Sequence, residues 1–194
     1  MKSRTLIIIF TIVTIPIISP SRCNNLIETT CKQTPRYNLC VQSLKSDPAS
    51  SDADVRGLAL IMVKVMTTKA KGTGYRIKQL LKSGHLEPKQ EKALKYCADS
   101  YKTVIELCVP GTERALEIGN PKFAEEGVVS TGIEAKDSST KTVAAKSFSF
   151  SGDFFCRHRK SSRKVWFFVV PLTKENNTMR HLAAVAVAIV RLLL

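Results

Sequence analysis

The stretch LKYCADSYKTVIELC, residues 94–108, places Leu94, Cys97, Tyr101, Val104 and Cys108 three and four residues apart. That spacing puts all five on one stripe of an amphipathic helix, and such a stripe is most often core. The same reading settles a covalent question. Eleven helical residues separate Cys97 from Cys108 by roughly 16 Å, whereas bridged Cα atoms lie within about 7 Å. The two cannot pair along a continuous helix, which leaves Cys156 and Cys23 as options for Cys97.

Working outward from this stripe, Val55, Leu58, Met62 and Val65 mark a second helical face. The pattern carries on to Leu80–Leu81, although Gly72 and Gly74 weaken its middle. His85 to Pro88 reads as the turn between the two helices. Pro110-Gly111 is expected to kink or end the second helix, with one or two further turns from Glu113 to Ile118 and a C-cap at Gly119. Leu182, Val185, Ile189, Leu192 and Leu193 mark a last helical face; Arg191 within it argues against a lipid-anchor tail. Near the start, the segment Cys31 to Cys40 has helix-like residues on both sides and Pro35 in its middle. It reads as a short helical hairpin stapled by Cys31–Cys40, a closure worth about 2–3 kcal/mol in the chain-entropy model. Long helices joined by short turns predict an all-α fold, an antiparallel four-helix bundle preceded by the disulfide-stapled hairpin.

The chain has 194 residues, six Cys and a formal net charge of +14. Residues 1–21 have a basic start, an apolar run and small residues at the end, the order of a secretory signal peptide. Pro16 and Pro20 make that run short for a membrane anchor. Residues 22–48 then hold the hairpin and 51–194 the bundle. In an oxidising compartment paired cysteines read as disulfides. There is no Cys-x-x-Cys and only three His, so no metal site and no cofactor is expected. HExxH, GxSxG and a phosphate-binding glycine loop are all absent, and no catalytic residue is assigned.

Residues 136–170 interrupt the bundle pattern. They hold six of the eight Phe, the single Trp166, and eight basic residues against Asp137 and Asp153. Loss of Lys2 and Arg4 with the leader takes the net charge from +14 to +12, so half of it sits in this stretch. The basic tract at 157–164 allows a weak contact with acidic wall polysaccharide. In a secreted chain it does not argue for nucleic acid.

NPKFAEEG, residues 120–127, begins like a helix: Asn120 suits the N-cap and Pro121 the first helical position. The first turn should then favour anions, because the helix dipole is positive there. It carries Lys122 and Phe123 instead.

Taken together, NNLIETTCKQTPRYNLC, the ALIMV helix, LKYCADSY, ALEIGNPKFAEEGVV and AVAIVRLLL resemble the plant invertase inhibitor and pectin methylesterase inhibitor family. The resemblance covers about residues 24–135 and 171–194 and is nearest to the cell-wall invertase inhibitors. It implies a secreted inhibitor, not an enzyme, acting in the apoplast or cell wall, with the vacuole as the other destination. Pro121, Lys122 and Phe123 match the Pro-Lys-Phe loop with which the invertase branch enters the sucrose-binding cleft of an acid invertase. Pectin methylesterase is the alternative target, and an inactive isoform the other alternative. After signal cleavage no membrane contact is implied. The family places a fourth cysteine soon after the residues matching 132–135, where this chain has Lys136-Asp137-Ser138-Ser139; Cys156 is the substitute partner for Cys97. The abrupt edges of 136–170 suggest translated intron or a shifted frame, which a transcript lacking the stretch would support. Asn176-Asn177-Thr178 is a glycosylation sequon placed where the last helix should begin.

Overall fold

The computed structural model describes residues 21–84, 86–140 and 172–194. Among them every regular element is helical. Helices α1 (Ser21–Lys32) and α2 (Tyr37–Lys45) form the hairpin, and a 3-10 turn at Pro48–Ser51 leads into α3 (Val55–Lys82). Four rods follow one another up and down: α3; α4 (Pro88–Thr103) continued through a π turn into α5 (Val109–Glu117); α6 (Pro121–Thr140); and α7 (Thr173–Arg191). The leader, Cys156, His85, His158 and the 157–164 tract lie outside the described residues.

Local chemistry sets the ends. Asp54 accepts from the Gly57 N–H at 2.7 Å and starts α3; Asp47 accepts from Ala49 N–H at 3.0 Å and starts the 3-10 turn. Gly72 and Gly74 do not interrupt α3, which runs for 28 residues because Leu58, Met62, Met66, Ala70 and Ile77 bury one continuous face. The 94–108 stripe is buried at all five of its positions. Cys31 and Cys40 are bridged with Cα atoms 5.5 Å apart and both are fully buried. The hairpin is therefore clamped from inside its contact with the bundle.

Two expectations change. Pro110-Gly111 does not end the second rod, which continues through it into α5. The helix loosens one turn earlier, at Val104–Cys108, where the Val109 N–H bonds back five residues to the Val104 carbonyl. A π turn of this kind makes room for a residue that lacks an N–H and crowds the preceding turn. The second change is at 136–140, assigned above to the atypical stretch. These residues complete α6, with Ser138 buried.

Close approach of α6 to its neighbours rests on two glycines. A Cβ on Gly127 would overlap Thr112 Oγ1 and lie 3.2 Å from the Cys108 carbonyl; one on Gly132 would sit 3.3 Å from the Ala183 Cβ. Gly127 thus seats α6 directly on the π turn. The core also contains a polar contact, because the Tyr101 hydroxyl donates to Asn176 Oδ1 at 2.9 Å across α4 and α7.

Candidate functional site

The turn between α5 and α6 is only three residues, Ile118 to Asn120, and each is held. The Asn120 N–H bonds the Ala115 carbonyl at 2.8 Å and the Gly119 N–H bonds the Leu116 carbonyl at 3.2 Å. This is the paired bonding of a Schellman end, with Gly119 at φ +74, a conformation that costs glycine little. Asn120 then turns round and caps the next helix: its Oδ1 accepts from the Phe123 N–H at 3.1 Å and its carbonyl from Ala124. The expected Pro-Lys-Phe loop is accordingly the first turn of α6, with Pro121 at the first helical position.

Glu125 explains why a cation is tolerated there. Lys122 Nζ donates to Glu125 Oε2 at 3.1 Å, one turn along the same helix. Arg191 Nε, from the last turn of α7, donates to Oε1 of the same carboxylate at 2.7 Å. The Glu125 side chain is 11% exposed while those of Lys122 and Arg191 are 70% and 61% exposed. One sheltered carboxylate therefore holds two outward-facing cations. Arg191 first, and Lys122 second, hold the Glu125 carboxyl below the usual range. The carboxylate also places negative charge near the helix start, where the dipole favours it.

Phe123 is 41% exposed, and Ile118 in the α5–α6 turn and Leu192 and Leu194 after α7 are exposed as well. A cavity of about 100 Å³ is lined by Arg56, Leu116, Gly119, Pro121 and Leu193. It gathers the first turn of α3, the α5–α6 turn and the chain's end at one pole of the bundle. Aromatic and aliphatic surface beside three cations (Arg56, Lys122, Arg191) on a pinned backbone can dock into an acidic, ring-binding cleft without first being ordered. Of these groups, sequence reasoning singled out Pro121, Lys122 and Phe123. It missed Glu125, Arg56 and the role of Arg191. The signal for Glu125 was its position three residues after Lys122; Arg56 and Arg191 had none, being distant along the chain.

The remaining expected sites are not brought to this pole. Cys97 is a buried thiol whose Sγ donates to the Ser138 carbonyl at 3.2 Å, and burial raises its pKa to about 11. Its proposed partner Cys156 lies outside the described residues. Asn176 is fully buried within α7, and its Nδ2, the atom a glycan would modify, has no hydrogen-bond partner in the structure. Packing against Tyr101 leaves a glycosyl group no access to it in the folded chain. Among the described residues no cluster of three or more His, Cys, Asp or Glu could hold a metal. None of the described helices is long and apolar enough to cross a membrane.

The family model described as plant invertase/pectin methylesterase inhibitor matches residues 25–189. Over 111 residues the chain is 43% identical to the "Cell wall / vacuolar inhibitor of fructosidase 1" of Arabidopsis thaliana, covering 57% of this chain and 53% of that one. Over 83 residues it is 31% identical to a "Pectinesterase inhibitor" of Actinidia deliciosa, covering 43% and 44%. The matched region thus spans about half the length of these curated relatives. A crystal structure of a mutant pectin methylesterase inhibitor from Arabidopsis superposes with a TM-score of 0.62 at 18% identity, over 85% of this chain and 95% of that one. That likeness is one of fold. With hairpin, bundle and sequence match in agreement, the chain belongs to the plant invertase/pectin methylesterase inhibitor family.

Proposed function

We propose that the protein is a secreted inhibitor of acid invertase, acting in the cell wall or the vacuole, and that the first turn of α6 is its reactive surface. Pro121 and the capped turn keep the backbone rigid, Phe123 offers a ring to a subsite that binds sugar rings, and Lys122 faces the carboxylates a glycosidase keeps in its cleft. The observation that carries this reading is the exposed Lys122–Phe123 pair on a helix start pinned from both sides. Similarity to the fructosidase inhibitor supports invertase as the target. The second reading is inhibition of pectin methylesterase, favoured by the likeness to the pectinesterase inhibitor.

Titration of the mature, oxidised protein against an acid invertase and a pectin methylesterase near pH 5 tests both. Loss of sucrose hydrolysis at stoichiometric inhibitor, with the esterase untouched, is the expected result. Phe123→Ala should weaken invertase inhibition at least 30-fold, the scale of an aromatic hot spot worth about 2 kcal/mol or more. Esterase inhibition that survives Phe123→Ala would replace the first reading with the second.

A further inference from the structure

Helix α3 carries seven basic residues and no acidic one in its 28 positions. The mature chain outside 136–170 has a net charge of +6, so α3 alone exceeds it and all other helices and turns together are slightly acidic. The charge is also ordered. At 100° per residue Lys64, Lys71, Tyr75, Lys78 and Lys82 fall on one stripe opposite the buried face of Met66, Ala70 and Ile77. The stripe is about 27 Å long at the helical rise. Lys64 is tied to Asp47 at 3.0 Å. Lys71, Lys78 and Lys82 are exposed and make no ion pair with any described residue. In their midst Tyr75 is 65% exposed. At the Lys64 end lies a depression of about 300 Å³ lined by Ser46, Asp47, Lys64, Val65, Thr68 and Lys69.

We infer that this stripe is a binding site for a linear acidic polysaccharide, a polymer with one carboxylate on each sugar ring. The spaced ammonium groups supply the charge complementarity, and Tyr75 supplies a flat apolar face for a pyranose ring. The stripe holds lysines without arginine, lacking the planar fork that favours phosphate polymers. A membrane surface is a poor fit, because the apolar face of α3 is spent on the core. The site is separate from the inhibitory pole. Arg56 lines the same cavity as Pro121, and Lys71 lies 15 residues, or about 22 Å, farther along the helix. Tethering to a polymer and capture of a target enzyme can therefore occur together, and the inference does not rest on the identity of that enzyme.

The test uses the full mature chain with polygalacturonate and its fully methyl-esterified form near pH 5, read by affinity electrophoresis over a range of salt. Retention by the acidic polymer alone, lost as salt rises, is expected. Lys71→Gln/Lys78→Gln/Lys82→Gln should weaken it at least tenfold and flatten the salt dependence, with far-UV circular dichroism and the thermal midpoint unchanged. Tyr75→Ala should weaken it several-fold and leave the salt dependence as it was. Three results would overturn the assignment: the triple variant binding as tightly as the parent, equal retention by the esterified polymer, or loss only when the basic residues of 157–164 are neutralised. Equal binding of single-stranded DNA through the same lysines would reduce the stripe to a general polyanion surface and overturn it as well.

Discussion

Glu125→Gln is the perturbation that interrogates the α5–α6 pole most directly. The carboxylate is sheltered, and it accepts from Lys122 at 3.1 Å and from Arg191 at 2.7 Å. Both cations face solvent, so each pairing falls in the range of about 0.2–1 kcal/mol measured for exposed ion pairs. Two pairings, less the one weaker bond that a glutamine oxygen can still accept, give an expected destabilisation of about 1 kcal/mol at pH 6. The pH dependence follows from the sign of the shift. The native carboxyl is held below its usual value, so its stabilisation is fully present above the unfolded value of about 4.3. It is lost as pH falls through the lower, native value. Urea unfolding of parent and variant, followed by circular dichroism from pH 6 to pH 2.5, should show the gap closing only below about pH 4. All other carboxylates are common to both proteins and cancel in the difference. A gap that stays the same at every pH, or no gap at pH 6, would refute the account. In an Arg191→Gln background most of the effect should vanish, because the shorter of the two bonds is already gone.

Three other outcomes follow from the packing. Gly127→Ala should cost about 1–3 kcal/mol, since the added methyl meets Thr112 and the Cys108 carbonyl at the π turn; a thermal midpoint equal to the parent's would show that α6 can move off that turn. Tyr101→Phe should cost about 1–3 kcal/mol, because it leaves a second buried polar atom on Asn176 without a partner. An unfolding midpoint within error of the parent's would mean that Asn176 repacks. A soluble thiol reagent at pH 8 should modify Cys97 only after denaturation, given its burial and a pKa of about 11; non-reducing peptide mapping that finds Cys97 joined to Cys156 would replace this expectation with the bridge.

What the sequence determined by itself is whatever a helix reads within one or two turns. The five apolar positions from Leu94 to Cys108 lie on one face because the backbone repeats every 3.6 residues, and all five are buried. Asn120 and Gly119 could be recognised as caps because their bonds go to residues three to five positions away. Short-range geometry also made the Cys31–Cys40 staple legible across nine residues. Tertiary structure decided the rest, since it depends on where one helix crosses another. Arg191 reaches Glu125 across 66 positions, Tyr101 reaches Asn176 across 75, and no local pattern announces either pairing. The sequon at Asn176 shows the difference most plainly. Its three residues satisfy a local motif, but the bundle encloses the asparagine that the motif would offer. The stripe on α3 is the converse case. Its lysines are evident along the chain, yet only the packing of Met66, Ala70 and Ile77 into the core turns them outward together.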